Sequence, residues 1–89
     1  MKYIKKPVAV EAWQAFDFGL EDKVPYWVTE AFMSRKIGET RKDRGDYYID
    51  TLEGRMYFWN GDYVIRGVRN ELYAVNKDIF EETYTEVTE

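Results

Sequence analysis

The chain contains no cysteine and no histidine. Without cysteine it has neither disulfides nor a thiol nucleophile, and without histidine the Ser-His and Cys-His pairs of covalent catalysis are excluded. Zinc sites that depend on those two residues go with them, which leaves only a hard cation held by carboxylates. Ser34, the one serine, has no imidazole to activate it. No glycine-rich phosphate loop and no metal-ligand spacing occurs. An enzyme is therefore not expected, nor a cofactor or metal. No apolar run approaches the ~18 residues of a membrane span. Residues 1–7, Met-Lys-Tyr-Ile-Lys-Lys-Pro, lack the apolar segment of a secretory signal, so a cytoplasmic protein without membrane contact is expected.

What the chain has in quantity is rings. Aromatic residues make up 18% of 89 positions, as eight Tyr, five Phe and three Trp. That length gives one domain, residues 1–89, with a thin core. Large rings suit such a core because they bury much area at little entropic cost, and they are also enriched at interfaces. The net charge of −4 is uneven: residues 1–44 hold nine basic and seven acidic side chains (+2), residues 45–89 four basic and ten acidic (−6). That balance opposes broad nucleic-acid binding, which needs a net basic face.

Along the chain, residues 5–15 predict a first strand, with Val8, Val10 and Ala12 alternating against Ala9, Glu11 and Trp13. Residues 16–23 form a connection. Val24, Trp27, Val28, Ala31 and Phe32 recur at helical spacing and predict a helix over 25–37, with Pro25 in its first turn and Gly38 closing it. Residues 38–45 read as a solvated loop. Strands are expected at 47–52 and 55–59, joined through Glu53-Gly54, with Ile49 opposite Phe58 or Tyr57 according to loop length. Asn60-Gly61 signals a tight turn into a strand at 63–68, which turns at Arg69-Asn70 into a strand at 71–75 and sets Arg66 opposite Tyr73. Asn76 caps a short helix over 77–82 whose Ile79 and Phe80 close the end of the sheet, and 83–87 is a last strand anchored by Tyr84. The sum is an α+β fold: a small, strongly bent antiparallel sheet of about five strands, in the limit a partly closed barrel, with one helix packed on it.

Thr51-Leu52-Glu53-Gly54, Gly61-Asp62-Tyr63-Val64-Ile65-Arg66-Gly67-Val68, Glu71-Leu72-Tyr73 and Asp78-Ile79-Phe80-Glu81-Glu82-Thr83-Tyr84 together resemble a family of small, uncharacterised phage and prophage proteins. The family's core motif is Pro-Gly-Asp-(Tyr/Trp), matched here by Asn60-Gly61-Asp62-Tyr63. The opening Lys5-Lys6-Pro7-Val8-Ala9-Val10-Glu11-Ala12 is similar to its start. Asn60 departs from the motif's proline, and Ala74-Val75-Asn76-Lys77 replaces a proline-containing stretch. The resemblance implies a phage or prophage accessory gene and supplies no mechanism.

Three sets of residues are candidates for function. Asp62 and Asp78 would serve as a carboxylate pair, but turn and helix-start chemistry accounts for both. Tyr48, Tyr57 and Trp59 mark either a subunit or partner interface or core packed under the helix, because a strand with rings on both sides is either covered twice or offers one face to a partner. Arg35, Lys36, Arg41, Lys42 and Arg44, with Lys5 and Lys6, would meet phosphates while exposed rings stack on bases. Glu39 and Asp43 interrupt that basic run. The expected function is a non-enzymatic protein-interaction module, its partner a host or phage protein or, as a homodimer, a second copy. Nucleic-acid binding through the basic loop is the alternative.

Overall fold

The structure is a computed structural model, and it describes residues 1–4, 7–15, 24–40 and 43–87. The expectations for Lys5 and Lys6, for the connection 16–23, and for Arg41 and Lys42 concern positions outside the described residues.

Among the described residues the order is β1 (Glu11–Gln14), α1 (Tyr26–Met33), β2 (Ile37–Glu39), β3 (Tyr47–Thr51), β4 (Gly54–Phe58), β5 (Tyr63–Arg66), β6 (Leu72–Val75) and α2 (Lys77–Thr83). The strands form two antiparallel three-stranded sheets, β1-β5-β6 and β2-β3-β4. The α+β class therefore stands, while the single bent sheet of about five strands with one helix becomes two sheets with two helices, and the sheets do not close into a barrel.

One core joins the sheets. Trp13, Val64 and Leu72 from the first meet Tyr47, Ile49 and Phe58 from the second, and Trp27, Val28 and Ala31 of α1 cover them. Phe32 bridges the layers edge-on, its ring centroid 6.3 Å from Trp13 and 6.4 Å from Tyr47, and Tyr47 stacks on Phe58 at 5.3 Å. The helical stripe legible in the sequence is thus the surface that packs.

The helix is shorter than its periodicity predicts. Pro25 stands outside it as the N-cap residue, its carbonyl accepting from the Val28 and Thr29 amides at 3.0 and 3.2 Å. The C-terminus closes at Ser34 and Arg35, with Arg35 in the left-handed region at φ 64°. Gly38 does not end the helix. It lies in β2, because Ile37 leaves the helix to be buried opposite Ile49.

Both hairpin registers differ from the expected ones. The β3–β4 loop is Leu52-Glu53, which pairs Thr51 with Gly54 and sets Ile49 opposite Met56 rather than Phe58 or Tyr57. The Thr51 hydroxyl holds this loop, donating to the Gly54 carbonyl at 2.7 Å and accepting from the Glu53 amide at 3.2 Å. Between β5 and β6 the turn takes in Gly67 and Asn70, whose amide donates to the Gly67 carbonyl at 3.0 Å. Arg66 therefore faces Leu72 and Ile65 faces Tyr73, so the expected Arg66–Tyr73 pair does not form.

β1 starts at Glu11 rather than near Lys5, because its partner strand ends with Arg66 opposite Glu11. Asn76 caps α2 as the sequence implies, its side chain accepting from the Asp78 and Ile79 amides. That helix does not plug the core, since Ile79 is 55% exposed and no residue of α2 is buried. Phe80 instead stacks on Tyr63 at 3.8 Å, on the side of β5 opposite Val64 by strand alternation. Residues 84–87 form no strand, and Tyr84 stacks on Phe80 at 4.8 Å.

Candidate functional site

Alternation along β3 and β4 buries Tyr47, Ile49 and Phe58 on one side and turns Tyr48, Asp50, Arg55 and Tyr57 to the other. The register sets Tyr48 directly opposite Tyr57 and Asp50 opposite Arg55. Two of the three aromatic residues singled out from sequence are therefore cross-strand neighbours on one outer face.

Each ring carries an arginine. The Arg55 guanidinium lies 4.0 Å over the Tyr48 ring, and that of Arg44 lies 5.8 Å from the centroid of Tyr57. Arg55 is fixed there by a forked ion pair, its Nε donating to Asp50 Oδ1 at 2.7 Å and its Nη2 to Oδ2 at 3.1 Å. Those hydrogen bonds hold the Asp50 carboxyl below the usual carboxylate range. Tyr48 also fills the space above the Gly38 backbone, where an added Cβ would lie 2.4 Å from its ring. Its hydroxyl makes a long contact of 3.5 Å to the Arg35 carbonyl.

Trp59 follows at the end of β4, 49% exposed. Its backbone is held from both sides: the amide donates to Asp62 Oδ2 at 2.9 Å, and the carbonyl accepts from the Asp62 amide at 3.1 Å. Gly61 takes the positive φ that this turn needs, 93°. The next amide, that of Asn60, donates to Asp46 Oδ2 at 2.9 Å. An exposed indole on a fixed backbone loses little freedom on binding.

The described members of the basic set are divided. Arg44 joins the aromatic face, and Arg35 contributes its carbonyl there. The Lys36 carbonyl accepts from the Asp50 amide at 2.9 Å, and Lys36 lines a groove beside α1. Asp62 is committed to the backbone, Oδ2 to Trp59 and Oδ1 to the Lys77 amide at 2.9 Å. Asp78 donates its amide to the Asn76 side chain. Among the described residues no group of three or more carboxylates gathers as a metal site, and no helix is long and apolar enough to cross a membrane.

Arg55 and Asp50 were not among the residues singled out from sequence. Their signal was present, since Arg55 shares the alternation of Tyr57, but only the correct register makes them neighbours of Tyr48. Comparison of the chain with protein-family models, with curated proteins and with solved structures gave no match.

Proposed function

We propose that the protein is a non-enzymatic interaction module, the product of a phage or prophage accessory gene acting in the bacterial cytoplasm. Its binding face is the outer side of β3 and β4, formed by Tyr48, Tyr57, Trp59, Arg44 and Arg55. The partner is a protein segment that sets apolar side chains against Trp59 and Tyr57 and a carboxylate against Arg44. The residue types fit, because Trp, Tyr and Arg dominate binding energy at protein interfaces. Phage origin is supported by the motif around Asn60-Gly61-Asp62-Tyr63 and by the similar opening segment.

The observation that carries the choice of a protein over a nucleic acid is the state of Tyr48. Stacking on bases requires an open ring. The Tyr48 ring is covered by a guanidinium 4.0 Å away that is itself locked to Asp50, and it packs over Gly38. Among the described members of the basic set, Lys36 lies in the groove beside α1 and Arg44 at Tyr57, which supports the same choice, since a phosphate-binding face needs its cations together. Arg44, with no ion pair among the described residues, is a free charge beside the rings that favours an acidic partner.

Affinity capture from host lysate with the wild-type chain, Trp59→Ser and Arg44→Glu tests this. One partner should be retained by the wild type and lost from both variants, with sedimentation showing whether that partner is a second copy. Capture unchanged in both variants, or replaced by salt-sensitive retention of nucleic acid, would contradict the proposal.

A further inference from the structure

At the end of the core beside α1, Arg66 closes β5 with its side chain only 23% exposed. Glu11 faces it across one ladder and Leu72 across the other. Its polar contacts are long: Nη1 stands 3.5 Å from Glu11 Oε1 and 3.4 Å from the Tyr26 hydroxyl. Charge-assisted bonds of this type ordinarily run about 2.7 to 2.9 Å, and the Arg55–Asp50 fork in the same molecule shows one at 2.7 Å. Among the described residues Nε and Nη2 of Arg66 have no partner. Glu11 is 62% exposed and so is largely hydrated.

Arg66 lines a groove of about 430 Å³ together with Tyr26, Trp27, Lys36, Asn70 and Leu72. Trp27 is 5% exposed, and its indole N–H is buried with no hydrogen-bond partner among the described residues. A half-buried guanidinium thus keeps one edge free on a groove that Trp27 also lines.

We propose that this groove binds a carboxylate carried on a small apolar or aromatic body. The carboxylate takes the free Nε–Nη2 edge of Arg66 in the forked geometry that guanidinium favours, and Lys36 adds a flexible second cation. The body lies against Tyr26, Trp27 and Leu72. Glu30 also lines the groove, and with Glu11 it offsets the two cations. A singly charged carboxylate is therefore favoured over a phosphate dianion. A free aromatic acid and the C-terminal carboxylate of a peptide share this chemistry.

The test uses the full-length ¹⁵N-labelled chain, with the indole N–H resonance of Trp27 as reporter. It is titrated separately with sodium benzoate, with a short peptide ending in phenylalanine, with the same peptide amidated, and with inorganic phosphate. Benzoate, the free-acid peptide or both should shift the Trp27 indole resonance saturably and leave that of Trp59 in place, and the tighter of the two identifies the source. The amidated peptide and phosphate should have little effect, and Arg66→Gln should weaken binding about tenfold or more. If that variant does not fold, Arg66→Lys, which keeps the charge and loses the fork, should weaken it comparably. A Trp27 resonance unmoved by benzoate and peptide, binding as tight in the Arg66 variant, or phosphate binding tighter than both carboxylates would overturn the proposal.

Discussion

Asp62 and Lys77, fifteen residues apart in sequence, are joined by a hydrogen bond of 2.9 Å from the Lys77 amide to Asp62 Oδ1. The other oxygen accepts from the Trp59 amide, so one carboxylate, 8% exposed, ties the turn after β4 to the first residue of α2. Asp62→Ala should therefore destabilise by about 2 kcal/mol, since two part-buried amides lose a charged acceptor. Asp62→Asn, which keeps one acceptor oxygen, should cost about half as much. Urea unfolding of the three proteins measures both, and an alanine variant as stable as the wild type would show that this carboxylate holds nothing.

The glycine in β2 has a side-chain reason. A Cβ at Gly38 would lie 2.4 Å from the Tyr48 ring, so Gly38→Ala should cost about 1 to 3 kcal/mol by displacing that ring. Combined with Tyr48→Ala the penalty should largely vanish, because nothing is left to displace. A double-mutant cycle by chemical denaturation checks this, and simple additivity would rule out the contact.

Two phenylalanines that look alike in sequence should behave differently. Phe58 is 2% exposed within the core, whereas Phe80 is half-buried between Tyr63 and Tyr84 outside it. Phe58→Ala should cost about 3 to 5 kcal/mol and Phe80→Ala about 1 to 2, from lost stacking and partial burial. Equal losses in thermal or urea unfolding would mean that α2 covers a second true core.

Tyr73 gives the molecule an alkaline limit. Burial first, then a side-chain hydrogen bond to Tyr84 and the nearby Glu71 carboxylate, push its hydroxyl up to about 12 from 10.0. A group whose folded pKa is raised stabilises the fold while it is protonated. Its contribution is thus complete below about pH 10 and is lost as pH climbs towards about 12. Melting temperature measured across that range should fall, and Tyr73→Phe, which cannot ionise, should flatten the fall. An identical decline in the variant would remove Tyr73 as the cause.

The local signals in the sequence were reliable where one short stretch decides the outcome. Asn60-Gly61 turns as its chemistry requires, Asn76 caps α2, and Trp27, Val28, Ala31 and Phe32 mark the packing side of α1. What escaped depended on distant partners. Ile37 continues a helical pattern, yet it pairs as a strand because Ile49 lies beside it. A loop beginning one residue earlier leaves the local pattern of each strand unchanged, so Leu52-Glu53 and Glu53-Gly54 could not be told apart by alternation. The same ambiguity hid Arg55 and Asp50 beside Tyr48, although Tyr48, Tyr57 and Trp59 were visible as rings needing a cover. Arg66 was assigned to Tyr73 by a slip of one residue, and its place beside Tyr26 required knowing where α1 lies.

The proposed binding face is tested most directly by cross-saturation NMR, with the ¹⁵N-labelled chain bound to its captured partner and amide signal loss mapped along the sequence. Loss concentrated at Arg44, Tyr48, Arg55, Tyr57 and Trp59 is the expected result. Undiminished signals there, with loss at α1 or α2 instead, would contradict the assignment of the outer face of β3 and β4 as the surface through which this protein acts.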